Sequence, residues 1–242
     1  MSPTPRPPPA VTRPKNRLLA SLPEADFQRI QPDLNTVALR PKQVLCKQGD
    51  RLKYVWVPNG GVVSVTTNLS DGSTVEAATV GDEGMLGIEA FFSGDVIAPG
   101  ETLLQVPDTN LERMTVEAFR REVNRHGALH DAVGHYVRMF IAQMMQATAC
   151  NALHTVEQRC ARWLLMTHDR MHERDFHLSH EFLAVMLGVQ RPTVTEVAGL
   201  LQHAGLIHYS HGHVTVIDRR GLERSACECY RIIRGHFDRL PS

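Results

Sequence analysis

The stretch Leu178–Gly199, LSHEFLAVMLGVQRPTVTEVAG, decides the fold of this chain. Ser179 is placed to cap a helix, because its hydroxyl can accept from the orphan N–H groups of the first turn, and Glu181 favours the positive end of that helix. Phe182, Leu183 and Met186 supply an apolar face. Gly188 stops the helix, since glycine reaches positive φ without steric cost. Gln190-Arg191-Pro192 restarts the chain; proline is tolerated in a first helical turn, where its missing N–H has no intrahelical partner. Val194, Val197, Leu200 and Leu201 then give a second amphipathic helix. Two short helices joined by a tight turn containing glycine form a helix-turn-helix.

Downstream, Leu206-Ile207 leads into His208-Tyr209-Ser210-His211-Gly212-His213 and then Val214-Thr215-Val216-Ile217, which reads as a β-hairpin with a glycine turn, a wing. In a winged helix-turn-helix the second helix lies in the major groove of DNA and its first residues reach base edges. Arg191 can donate twice to guanine O6 and N7, Gln190 or Glu196 can read adenine or cytosine edges, and Thr193 suits a phosphate. Residues 155–242 hold eleven arginines against ten acids, net +1, with nine histidines. Affinity for DNA is therefore expected to be modest and salt-sensitive. His180, His208, His211 and His213 are expected to add charge near the phosphates below about pH 6.5.

Upstream, Leu129, Val133, Tyr136, Phe140, Met144, Ala147 and Asn151 recur at steps of four and three, one face of a long helix. Such a stripe must be covered, by the rest of the chain or by a second copy. From Val37 to about Leu111 short β-branched runs such as Val62-Val63-Ser64-Val65-Thr66 alternate with turns at Asn59-Gly60-Gly61, Ser70-Asp71-Gly72 and Pro99-Gly100, the texture of a roll, sandwich or barrel. Leu18–Ile30 reads as short helix, with a start at Pro23-Glu24. Residues 1–17 hold six prolines and four cations, with no apolar stretch of the signal-peptide kind, and read as an arm that does not pack.

The 242 residues suffice for one large domain or two ordinary ones, and 43% hydrophobic with 21% charged residues is a globular composition. Lys+Arg and Asp+Glu are 26 each, which excludes a general polybasic coat. Cysteines at 46, 150, 160, 227 and 229, odd in number and without framework spacing, point to a reducing cytoplasm, and no apolar run is long enough to span a membrane.

The order roll, long helix, winged helix-turn-helix resembles the Crp/Fnr superfamily of bacterial transcription regulators, over about residues 18–217. The resemblance implies an α+β fold: an N-terminal antiparallel β-roll of jelly-roll-like kind over 18–126, a dimerisation helix over 127–153, and a winged helix-turn-helix DNA-binding domain over 154–242. It implies a homodimer on an inverted repeat of double-stranded DNA, with RNA polymerase as a partner if the protein activates. Carried over by position, DNA contacts fall on Ser179, His180, Gln190, Arg191, Thr193, Thr195, Glu196 and His213. The dimer interface falls on Leu129, Val133, Tyr136, Phe140, Met144 and Ala147. Pro192 departs from the family, where an acidic base-reader often stands, so the site preference is not inherited.

The family's cyclic-nucleotide ligand is not expected here. From Tyr54 to Glu112 there is no Lys, Arg or His and there are nine acids, and a buried phosphate without a cation is costly. The phosphate cassette would fall near Gly84–Thr102; Gly84, Gly87 and Gly94 remain, but its arginine is replaced by the Val96–Pro99 region and its glutamate by Ile88. Met144-Met145 stand where the cyclic-AMP receptor protein uses small hydroxyl residues. An alternative is a redox or apolar effector, with Met85, Leu86, Ile88, Phe91, Phe92, Met144 and Met145 as a greasy lining or simply as core. No cofactor or metal is expected: Cys227 and Cys229 read as packed thiols, and the histidines at 177, 180, 208, 211 and 213, though at metal-like spacing, lie on DNA-facing elements. No nucleophile elbow, P-loop or metalloprotease spacing supports catalysis.

Overall fold

The computed structural model describes residues 14–93, 95–106, 110–171 and 175–238. The arm read over 1–17 lies outside these residues except at its end, and that end is part of the fold. Asn16 is fully buried and donates to the carbonyls of Pro58 (2.7 Å) and Gly84 (2.8 Å), and its side chain caps helix α1 (Arg17–Ala20). A polar side chain thus anchors the chain two residues before the buried pair Leu18-Leu19.

After α2 (Glu24–Ile30) come seven strands: β1 (Asn35–Val37), β2 (Val44–Cys46), β3 (Tyr54–Pro58), β4 (Val62–Asn68), β5 (Thr74–Val80), β6 (Glu101–Val106) and β7 (Leu111–Thr115). They form two antiparallel sheets, ordered β1-β7-β3 and β2-β6-β4-β5. Val55 and Val57 of β3 and Val62, Val63 and Thr66 of β4 are buried, because both faces of these strands are covered there. A short 3-10 turn, Ile88–Phe91, follows Gly87, whose φ of +80° suits glycine.

Helix α3 (Val116–Val123) leads to the 26-residue helix α4 (Ala128–Leu153). His154 alone separates its end from Thr155, which opens α5 (Val156–Arg170) with a capping box completed by Gln158. A short strand β8 (Asp175–His177) precedes α6 (His180–Leu187) and α7 (Arg191–His203). Strands β9 (Ile207–Ser210) and β10 (His213–Val216) make the wing, and β10 also pairs with β8, giving the order β8-β10-β9. Helices α8 (Arg219–Ser225) and α9 (Cys229–Phe237) complete the described chain.

One hydrophobic core runs through the roll, α4, α5 and the helix-turn-helix. The seam between roll and DNA-binding module carries two buried polar joints. Arg170 of α5 donates to Glu83 at 2.6 Å and to the carbonyl of Thr79 at 3.3 Å. Glu76 of β5 accepts from Trp163 Nε1 (3.1 Å), Ser64 (2.5 Å) and Gln105 (3.0 Å), while Gln105 also reaches the sulfur of Met186 on α6 (2.7 Å). Burial pushes the Glu76 carboxyl up to about 7 against the pull of these donors and of Arg162 and Arg170.

Candidate nucleic-acid interface

The helix-turn-helix is built as its sequence dictates. The Ser179 hydroxyl accepts from the Phe182 N–H at 3.2 Å, and Gly188, at φ +62°, ends α6. Val189 N–H returns to the carbonyl of Ala184 at 3.0 Å, closing the helix end. Gln190 occupies the N-cap of α7, but its side chain makes no capping bond. Gln190, Arg191, Thr195 and Glu196 are exposed and Thr193 is half-buried, whereas Val194, Val197, Ala198 and Leu201 are buried beneath them. The helix thus presents a polar first turn from a fixed base.

His180 and Thr195 do not stand free beside them. His180 Nδ1 lies 3.0 Å from Thr195 Oγ1, and its ring stacks on Tyr209 of the wing at 4.1 Å between centroids. The Tyr209 hydroxyl donates to the carbonyl of Leu178 at 2.9 Å, so helix, wing and cap are tied together. Burial, with the nearby Arg191 charge, pushes the His180 pKa down. This direction runs against the expectation that His180 gains charge on mild acidification; its half-buried ring is held between Thr195 and Tyr209. Thr195 also donates back to the Arg191 carbonyl at 3.1 Å. His213 is exposed, 3.8 Å from Asp175 and edge-on to His177. The wing turns at His211 (φ +51°) and Gly212 (φ +80°), the pair of positive φ values that a tight two-residue hairpin demands.

The stripe on α4 is placed differently from the reading that gave it to a dimer. Leu129, Val133, Tyr136, Phe140 and Ala147 are buried within the chain's own core, and Met144 packs partly against it. Tyr136 fills the space over Gly84, where any Cβ would come within 2.3 Å of its ring, and lies 6.4 Å from the Phe237 ring of α9. The correction has a physical cause: periodicity identifies a face to be covered, and here the roll and α9 cover it first. A second stripe at steps of four and three, Gly134, Arg138, Ile141, Met145, Thr148 and Ala152, faces outward, with Ile141 44% and Met145 69% exposed. Its small and polar members hid it from an apolar count.

In the roll, Leu52, Trp56, Met85, Leu86, Gly87, Ile88, Ala98, Thr102 and Phe140 enclose a cavity of about 30 Å3, with Cys46 and Glu89 at its edge and no Lys, Arg or His in the lining. Gly100 is pressed against the backbone, a Cβ there meeting the Thr66 oxygen at 2.6 Å. Gly84 lies directly against the Tyr136 ring. Of the greasy lining read from the sequence, Met85, Leu86 and Ile88 line this cavity and Phe91, Phe92, Met144 and Met145 do not, Phe92 and Met145 being exposed.

No helix among the described residues is long and apolar enough to cross a membrane. Residues 158–225 match the model of the Crp-like helix-turn-helix domain, and residues 36–125 match that of the cyclic nucleotide-binding domain. No curated protein matches the chain. A regulator assigned to the crp/fnr family from Eubacterium rectale shares the fold at a TM-score of 0.66 and 18% identity, covering 88% of this chain and 97% of its own. The c-di-GMP responsive global regulator CLP from Xanthomonas campestris gives 0.64 at 16% identity, covering 79% and 98%. A CRP-family transcriptional regulator from Thermus thermophilus gives 0.63 at 23%, covering 78% and 95%. With both domain models matched in this order along one α+β chain, the protein is a member of the Crp/Fnr superfamily of transcription regulators.

Proposed function

We propose that two copies of this chain bind an inverted-repeat DNA site, each inserting the first turn of α7 into the major groove. The observation that carries the reading is the exposed set Gln190, Arg191 and Glu196 on a helix whose opposite face is buried. Arg191 reads guanine, Gln190 and Glu196 adjoin it, Thr193 and the Ser179 end of α6 approach phosphates, and His213 approaches the backbone from the wing. The outward stripe through Arg138, Ile141, Met145, Thr148 and Ala152 pairs with its own copy, since steps of four and three are the spacing of a coiled-coil seam. Two-fold symmetry then sets half-site centres about 34–36 Å apart.

The signal, on this reading, is not a cyclic nucleotide. The cavity between Trp56, Met85 and Phe140 is lined without a cation and so offers a cyclic phosphate no charge partner. Selection of bound DNA from a random pool tests the whole reading. The expected product is a palindromic consensus with wild-type protein and its loss with Arg191→Ala. Recovery of the same consensus with that variant would refute α7 as the reading element. A thermal upshift on adding cyclic AMP would refute the second claim.

A further inference from the structure

Cys150 and His154 are one helical turn apart at the end of α4, and Cys227 and Cys229 flank the start of α9. The chain brings these four together across a separation of more than seventy residues. Cys150 Sγ lies 3.4 Å from Cys227 Sγ, Cys229 Sγ lies 3.5 Å from His154 Nδ1, and all four ligand atoms fall within 4.8 Å of one another. The three cysteines are buried and none is in a disulfide. We propose that Cys150, His154, Cys227 and Cys229 bind a single zinc ion at the junction between the long helix and the DNA-binding module.

The spacing selects the ion. A tetrahedron with bonds of about 2.3 Å to sulfur has edges of about 3.8 Å, so these ligands need only small adjustments to surround one metal. An iron–sulfur cluster spreads its cysteines over several irons and holds their sulfurs farther apart. Three thiolates with one imidazole are a zinc donor set that leaves no open position for catalysis. A disulfide between Cys150 and Cys227 would use two of the four groups and leave the convergence of the other two unexplained.

The surroundings are those of a metal site as well. His154 Nε2 stands 3.3 Å from the Glu228 carboxylate, which fixes the tautomer that leaves Nδ1 free to ligate. Gln146 donates its amide to Cys229 Sγ at 3.0 Å, a bond that supports a thiolate. Arg159 and Arg162, in the first turns of α5, interact electrostatically with Cys150, and the Nε of each is buried without a hydrogen-bond partner. They offset the site's charge: Zn2+ displaces three thiol protons, and the dication with three thiolates and a neutral imidazole carries one net negative charge.

The position gives the site a task. His154 and Thr155 alone separate α4 from α5, so an ion held through His154 jointly with α9 fixes the angle at which α5 leaves the long helix.

The test uses the full chain, purified and reduced, titrated with Co2+ and then Zn2+. One Co2+ per chain is expected, with the visible absorption of tetrahedral cobalt and sulfur-to-cobalt charge transfer, displaced by one Zn2+. Cys150→Ser and Cys229→Ser should abolish that spectrum, and Cys46→Ser should leave it intact. Glu228→Gln, at an exposed position that does not support the core, should weaken binding about 10–100-fold. An octahedral spectrum, no uptake by the reduced wild-type chain, or uptake unchanged in Cys150→Ser and Cys229→Ser would overturn the site. So would a Cys150–Cys227 disulfide in the isolated protein whose reduction fails to restore uptake. The wild-type titration stands even if a cysteine variant misfolds.

Discussion

The indole N–H of Trp163 donates to the buried carboxylate of Glu76 at 3.1 Å, joining the first long helix of the DNA-binding module to the central hairpin of the roll. Glu76 carries a carboxyl raised from 4.5 to about 7 by burial. A carboxyl raised on folding favours the folded, docked state while protonated. Its contribution is therefore complete below about pH 4.5 and is lost as pH rises to about 7, about 3 kcal/mol in all. Melting temperature should fall across that window relative to Glu76→Gln, in which the dependence flattens. A parallel pH profile for the two proteins would exclude Glu76 as the titrating group.

The Arg170–Glu83 pair is buried on both sides. Removing one partner strands a charge in the core, so Glu83→Ala should cost about 3–5 kcal/mol in urea unfolding. Replacing both with well-packed apolar residues should cost much less, and a double-mutant cycle reads the difference.

Arg191→Ala should lose about 1–3 kcal/mol of discrimination at one guanine of each half-site while the folded state is unchanged, because the side chain is exposed. Competition binding with single-base variants of the selected site measures it. Equal losses at every position would reassign Arg191 to the phosphates.

Ile141→Arg and Met145→Arg place charges on the outward stripe of α4, where neither residue supports the core. Sedimentation should report a monomer whose circular dichroism matches wild type. Tyr136→Ala, on the inward stripe, should instead lower stability by about 3–5 kcal/mol, the range for deleting a buried aromatic side chain.

Gly84→Ala should destabilise by about 1–3 kcal/mol, because a Cβ there meets the Tyr136 ring. Tyr136→Leu in the same chain should recover part of that loss. Simple addition of the two costs would show that Gly84 serves something other than the ring.

Local signals made the helix-turn-helix readable. Ser179, Gly188 and Pro192 each act within a turn of their own position, and the observed α6 and α7 begin and end beside them. What escaped depends on partners distant in sequence. Leu129 to Ala147 announced a buried face, but only the packed roll and α9 show what buries it. Cys150 and His154 gave no signal because their companions lie at 227 and 229. Asn16 looked like the tail of a proline-rich arm because its partners, Pro58 and Gly84, are brought to it only by folding.

Helix α6 has two duties: one side braces α7, and Met186 on the other touches Gln105 in the polar cluster around Glu76. The helix-turn-helix therefore rests on the roll through this cluster. Lifting α6 away would open Glu76 to water, and because burial raises its carboxyl, protons favour the docked arrangement.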